Sequence, residues 1–246
     1  MKKLVLILLT SIFLMAESTS FFEKNANTFS EEMTQEDINR AFDELGKIDP
    51  SIENLQKALY FEYGDKEKGI DPDILKAVKF YFDSFEAKND PISGMKLGLY
   101  SWAVFYDQKG LDGKALVLRD NLRDFFKEKN KTPDEYFSKC FFGNFNFINS
   151  SDSSDDKPIT RFVKKCGILA GIFLTKMGDY DQAIKILTNI KLQDDPSSQI
   201  WTAFAYKAQG ILDLANLFLD NACKNKKANK NIKAFCSNTN FITIQK

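Results

Sequence analysis

The stretch Gly178-Asp179-Tyr180-Asp181-Gln182-Ala183-Ile184 separates two runs whose apolar residues recur at helical spacing. Glycine turns the chain there without steric cost. Ala183, just inside the second run, is small enough to pack back onto the first. Gly171, on the first run, lets the second approach closely. These features predict a helical hairpin.

The same register occurs three times. Ala103, Tyr106, Gly110 and Ala115 form one set, and Gly171, Leu174, Gly178 and Ala183 the next. Ala203, Tyr206, Gly210 and Ala215 form the last. Within each set the spacings are three, four and five residues. From Ala115 to Ala183 is 68 residues, two periods of 34, and from Ala183 to Ala215 is 32. Such a period is the mark of a solenoid built from helix pairs. Adding 34 to the first set lands on Phe137, Cys140, Asn144 and Asn149, so a second helix should begin near 146. The chain supplies Ser150-Ser151-Asp152-Ser153-Ser154-Asp155-Asp156 instead. One repeat is therefore expected to be broken, with an irregular joint at 148–157.

The prolines punctuate the rest. Asp49-Pro50, Asp71-Pro72, Asp90-Pro91 and Asp195-Pro196 read as a capping carboxylate before proline at the first helical position. Thr132-Pro133 does the same with a hydroxyl, and Lys157-Pro158 lacks the cap. Thr34 with Asp37 resembles a capping box. Between these starts the apolar spacing predicts helices over 34–45, 50–64, 71–88, 91–109, 112–129, 133–147, 158–177, 179–191, 196–209, 211–225 and 230–237. Sustained alternation is almost absent, so strands are not expected. The linkers are mostly short, which favours antiparallel neighbours. The expectation is an all-α chain of about ten or eleven helices in antiparallel hairpin repeats.

The register resembles the tetratricopeptide repeat. Gly178 to Ile184 looks like that family's hairpin turn, with Leu187 and Ile190 at its later packing positions. Lys68-Gly69-Ile70-Asp71-Pro72-Asp73-Ile74-Leu75-Lys76-Ala77 resembles the longer turn of the related SEL-like repeat (SLR). The 36 residues from Ala58 to Gly94 also suit that repeat. The resemblance covers roughly residues 50–225. It implies a short right-handed α-solenoid over 34–246. Arg119 and Asn216 depart from it, standing where those families keep apolar residues, and Trp102 and Trp201 are displaced from the familiar place.

Composition excludes several chemistries. Hydrophobic residues make up 43% of the 246, enough for a packed core. The 34 basic and 34 acidic residues balance, so binding nucleic acid through bulk positive charge is excluded. There is no histidine. That removes a Ser-His-Asp or Cys-His nucleophile, an HExxH zinc site and His-ligated haem or copper.

Lys2 and Lys3 precede an apolar run from Leu4 to Met15. It is too short for a stable membrane span and fits a signal-peptide core, taken as residues 1–16. Cleavage fits after Ala16 or after Ser18. The polar residues 17–33 read as a tether. The expected location is the periplasm or outside the cell, with no integral span after cleavage.

Four cysteines in an exported chain suggest disulfides, and four allow three pairings. Cys140 lies seven residues before the end of its expected helix and Cys166 eight after the start of the next. Folded antiparallel, they come level. Cys223 and Cys236 flank the last loop in a similar way. The pairings favoured are therefore 140–166 and 223–236, against buried free thiols. Without a CxxC pair, a zinc site is not expected.

Ser93-Gly94-Met95-Lys96 and Ser154-Asp155-Asp156-Lys157 match the Ser-x-x-Lys of penicillin-interacting enzymes. Neither has a Ser-Asp-Asn or Lys-Thr-Gly companion, and chance supplies about two such matches at this composition. Gly64 to Gly69 has phosphate-loop spacing, but Ile70 replaces the lysine. Asp152 to Asp156 lacks the ligand pattern of a calcium loop. The lysines 224, 226, 227, 230 and 233 read as a solvated final loop. Phe141-Phe142-Gly143-Asn144-Phe145-Asn146-Phe147 is dense in aromatics and reads as core, with a partner-binding patch as the other reading. Candidate partner-binding residues are Phe141, Phe142, Phe145, Phe147, Tyr106, Tyr206 and Trp201.

The functional expectation is a non-catalytic scaffold that binds protein partners, with no cofactor and no metal. The resemblance implies assembly of bacterial envelope machinery for secretion, motility or cell-wall work. The alternative is a peptidoglycan-fragment or β-lactam binder, as implied by the cysteine-rich secreted SLR proteins.

Overall fold

A computed structural model describes residues 33–49, 52–64, 69, 71–106, 113–149 and 157–237. The signal segment, nearly all of the tether, Gly110 and the Ser150–Asp156 run lie outside the described residues. Of those described, 81% are helical, in twelve helices, with no strand among them.

The helices start where side chains satisfy the first N–H groups. α1 is Gln35–Ile48, and Thr34 and Asp37 form the expected capping box. α2 is Glu53–Tyr63 and α3 is Ile74–Lys88. Asp73, not the expected Asp71, caps α3 by accepting from the Lys76 amide at 3.0 Å. Pro72 therefore stands before the helix and not in its first turn. α4 is Pro91–Tyr106, and Asp90 Oδ1 accepts from the Ser93 amide at 2.8 Å. α5 is Gly113–Lys129. α6 is Pro133–Gly143, where Glu135 accepts from the Thr132 amide at 2.6 Å.

The helix expected over 133–147 breaks. A short α7 follows at Asn146–Asn149. At the break the buried Asn144 carboxamide donates to the carbonyls of Cys140 and Asn89, both at 2.8 Å. α8 is Pro158–Met177, α9 Tyr180–Leu187, α10 Pro196–Ala208, α11 Leu212–Lys224 and α12 Lys230–Ser237. α9 stops at Leu187, so Ile190 is 73% exposed and does not pack as expected. The Thr188 hydroxyl bonds back to the Ile184 carbonyl there, and Asn189 starts a new turn.

The chain divides into two compact units, Thr34–Cys166 and the part from Gly167 on. The division falls inside α8, past the 148–157 segment.

In the first unit the two central helices pack on their neighbours and on the next but one. α3 meets α2, α4 and α5, and α4 meets α3, α5 and α6. Lys96 reaches Glu62, joining α4 to α2. The result is two layers, one containing α2, α4, α6 and the first turns of α8, the other α3 and α5. α4 is central, and every residue from Pro91 to Gly98 is buried. Close approach explains its glycines. A Cβ at Gly98 would sit 2.3 Å from the Phe137 ring, and one at Gly94 2.6 Å from Phe85 and 2.8 Å from Cys140. Tyr81, Phe85, Phe126, Tyr136, Phe137 and Phe141 fill the rest of this core.

The second unit contains two hairpins with the same turn. Gly178 has φ +85° and Gly210 φ +77°. The Gly178 amide donates to Thr175 and the Asp179 amide to Leu174; the Gly210 amide donates to Lys207 and the Ile211 amide to Tyr206. Both are Schellman turns with glycine in the left-handed position, where a side chain would be strained. Ala183, Ala203 and Ala215 are buried as the register requires. A Cβ on Gly171 would lie 2.3 Å from Leu187 Cγ, so the glycine sets the helix separation. Ile232 and Phe235 of α12 close a cluster with Ile200, Ala203, Leu219 and Ala222.

Candidate functional site

A buried polar cluster lies inside the two-layer unit, and sequence reading did not find it. Glu62 is on the buried stripe of α2 with Leu55 and Ala58. Its Oε1 accepts from Lys96 Nζ at 2.8 Å and from the Tyr100 hydroxyl at 2.7 Å. Its Oε2 accepts from the Tyr81 hydroxyl at 2.5 Å. Lys96 Nζ also donates to the Tyr63 hydroxyl at 2.9 Å and lies over the Tyr63 ring. Burial alone would pull Lys96 down, but the Glu62 charge and the donated hydrogen bonds outweigh it, so its pKa is raised. Burial pushes the Tyr63 hydroxyl up to about 12, and Tyr81 and Tyr100 well above the usual phenol range. The signal was present as opposite charges at positions whose helical phase is apolar, 34 residues apart.

This arrangement decides what Ser93-x-x-Lys96 can do. A lysine acting as base must give up its proton easily, and Lys96 is held charged. Its ammonium is directed at Glu62 and Tyr63. Ser93 is fully buried, and its amide is spent on Asp90. Ser154, of the second match, lies outside the described residues.

The cysteines meet in the favoured pairs. Cys140 and Cys166 have their sulfurs 2.07 Å apart and Cys223 and Cys236 theirs 1.91 Å apart, both disulfide distances. The first pair is fully buried and ties α6 to α8 beside the Pro91 carbonyl. The second ties α11 to α12.

The candidate partner-binding aromatics separate by exposure. Phe141 is fully buried, and Trp201 is 2% exposed. Both are core residues, because they fall on the inward stripes of α6 and α10. Phe142 is 45% exposed. Its ring centroid lies 5.1 Å from Phe141 and 5.4 Å from the half-buried Phe145. Phe145 stands edge-on to Phe141 at 4.9 Å. A surface pair thus rests on a core ring, at the break between α6 and α7. Phe147 is half-buried. Tyr106 is 47% exposed at the end of α4, edge-on to Phe105. Tyr206, half-buried, stacks on Phe218 at 5.6 Å.

Among the described residues no helix is long and apolar enough to cross a membrane, and no group of three or more acidic or cysteine residues is placed to hold a metal ion. Comparisons with protein-family models, with curated proteins and with solved structures returned no match.

Proposed function

We propose that the chain is an exported, non-catalytic scaffold of the tetratricopeptide or SEL-like type that binds protein partners in the bacterial envelope. One observation carries this reading: Phe142 stands in solvent on a rigid support. Its ring rests on Phe141 and Phe145, and the helix beneath is joined through Cys140 to α8. An aromatic held in place loses little conformational freedom on binding, which is what interface anchors require. Two cysteine pairs at disulfide distance suit an oxidising compartment. The repeated Schellman turns, 32 residues apart, support a repeat architecture.

The test is a photo-crosslinking amino acid at position 142 in the native host, with Lys185 as an exposed control position. A discrete adduct at 142 that is absent at 185 is expected. No adduct, or the same adducts at both positions, overturns the assignment. Export is tested by mass spectrometry of the native protein, which should begin near Ala16–Ser18; an intact Met1 refutes it.

A further inference from the structure

α1 differs in placement from the other helices of its unit. It packs on α4 and reaches the first turn of α8. Both belong to the layer that also contains α2 and α6. Ile38, Ala41 and Leu45 are buried along its inner face. Its carboxylates meet positive partners at the start of α8. Asp37 Oδ1 accepts from Arg161 Nη1 at 2.9 Å. Glu44 Oε2 accepts from the Ile159 amide at 3.1 Å, where unpaired N–H groups and the helix dipole favour an anion. At the end of α1, Asp49 pairs with Lys88 at 2.9 Å.

α1 is thus an amphipathic helix laid against the α2–α4–α6–α8 layer, with Asp37 and Glu44, seven residues apart, on one side of its buried stripe. Helix-in-groove recognition uses this pattern. Its hold is lighter than that of α4. Ile38, Ala41 and Leu45 are the buried apolar residues of α1, with Phe42 half-buried beside them, whereas α4 is buried without interruption from Pro91 to Gly98. Arg161 keeps about a third of its side chain in water, so its bond to Asp37 is open to competition.

We propose that the face of α4 beside the start of α8 is a docking groove for an acidic amphipathic helix of a partner protein, and that α1 fills it until that helix displaces it. Charge complementarity selects this occupant. Arg161 and the amides opening α8 call for carboxylates one residue before and six after the first buried apolar residue, as Asp37 and Glu44 stand to Ile38. The partner invoked is the one the scaffold reading requires, and the groove deepens that reading by stating the partner's chemistry.

The test uses the exported chain and a fluorescein-labelled synthetic peptide of residues 33–49. Wild type should bind the peptide weakly, because the tethered α1 competes at high effective concentration. The Ile38→Asp, Leu45→Asp variant, whose own helix cannot seat, should bind it about tenfold tighter or more. Adding Arg161→Glu to that variant should weaken binding about tenfold by replacing a charge-assisted hydrogen bond with repulsion. Equal binding to wild type and variant, or none to a variant with wild-type circular dichroism, overturns the proposal. If the variant does not fold, hydrogen exchange on the unaltered protein decides. α1 amides that exchange ahead of those in α2 to α6 support it, and exchange together with them overturns it. A wild-type dimer that Arg161→Glu abolishes would assign the groove to a second copy, and so overturn the partner assignment. Peptide binding without a crosslink at 142 would defeat the scaffold reading alone; a crosslink without peptide binding would defeat the groove alone.

Discussion

Lys96→Met tests whether the buried polar cluster holds the first unit together. The substitution keeps an unbranched apolar stem and removes the ammonium that faces Glu62. Both side chains are almost fully buried, at 4% and 0% exposure. Breaking such a pair by removing one partner costs about 3–5 kcal/mol, because the remaining charge stays buried without compensation. An exposed pair would cost about 1 kcal/mol or less. With a urea dependence of about 2 kcal/mol per molar, a loss of about 4 kcal/mol lowers the unfolding midpoint by about 2 M. That is a large part of the roughly 5–15 kcal/mol that stabilises a domain. The double variant Glu62→Leu, Lys96→Met carries no buried charge but leaves the Tyr81 and Tyr100 hydroxyls without their acceptor. At about 1 kcal/mol or more each, it should remain about 2 kcal/mol below wild type. Urea unfolding followed by circular dichroism at neutral pH compares wild type and both variants. A Lys96→Met loss below about 1 kcal/mol would refute the reasoning.

Other outcomes follow from the same geometry. Lys96 and Tyr63 both have folded pKa values above their ordinary ones, so the stability they contribute is intact below about pH 10 and disappears as pH rises toward 12. Tyrosine ionisation, followed by ultraviolet absorbance, should therefore coincide with loss of helix; ionisation of all tyrosines before any unfolding would contradict it. Gly171→Ala forces a methyl to within 2.3 Å of Leu187 and should cost about 1–3 kcal/mol by thermal melting, while a neutral effect would mean the α8–α9 hairpin is not close-packed. The cysteine separations of 26 and 13 residues correspond to about 3.5 and about 2.9 kcal/mol of chain restriction. Cys140→Ala with Cys166→Ala should thus lower the melting temperature more than the Cys223, Cys236 pair of changes. Non-reduced peptide mapping that finds a bridge to Cys223 from either 140 or 166 would rule out this arrangement.

Turns and caps were legible because they act over a few residues. Gly178 and Gly210 announce their Schellman turns from sequence, since only glycine takes the left-handed position freely. Asp90 and Asp195 mark helix starts because their side chains accept from amides two or three residues away, and Thr132 because its own N–H donates to the Glu135 carboxylate. Asp71-Pro72 misled for an equally local reason. Asp73, two residues on, offers the same carboxylate to the Lys76 amide, and composition does not rank the two. The aromatic run 141–147 was legible as dense but not as sided. Phe141 and Phe142 are successive residues of α6, about 100° apart, so once packing buries Phe141 the helix leaves Phe142 in solvent.

The sequence by itself determined that the chain is helical, where most helices begin, which two hairpins share a turn, and which cysteines can come level. Each of these depends on neighbours within a few turns or on a regular period. Tertiary structure alone decided that Glu62 meets Lys96 between two tyrosine hydroxyls, that α4 is enclosed by its neighbours, and that α1 lies against α4 with its acids on the start of α8. Those pairings join residues 34 to 124 positions apart. No local propensity encodes them, because a buried charge or an amphipathic stripe states only that a partner is needed, and packing selects which one.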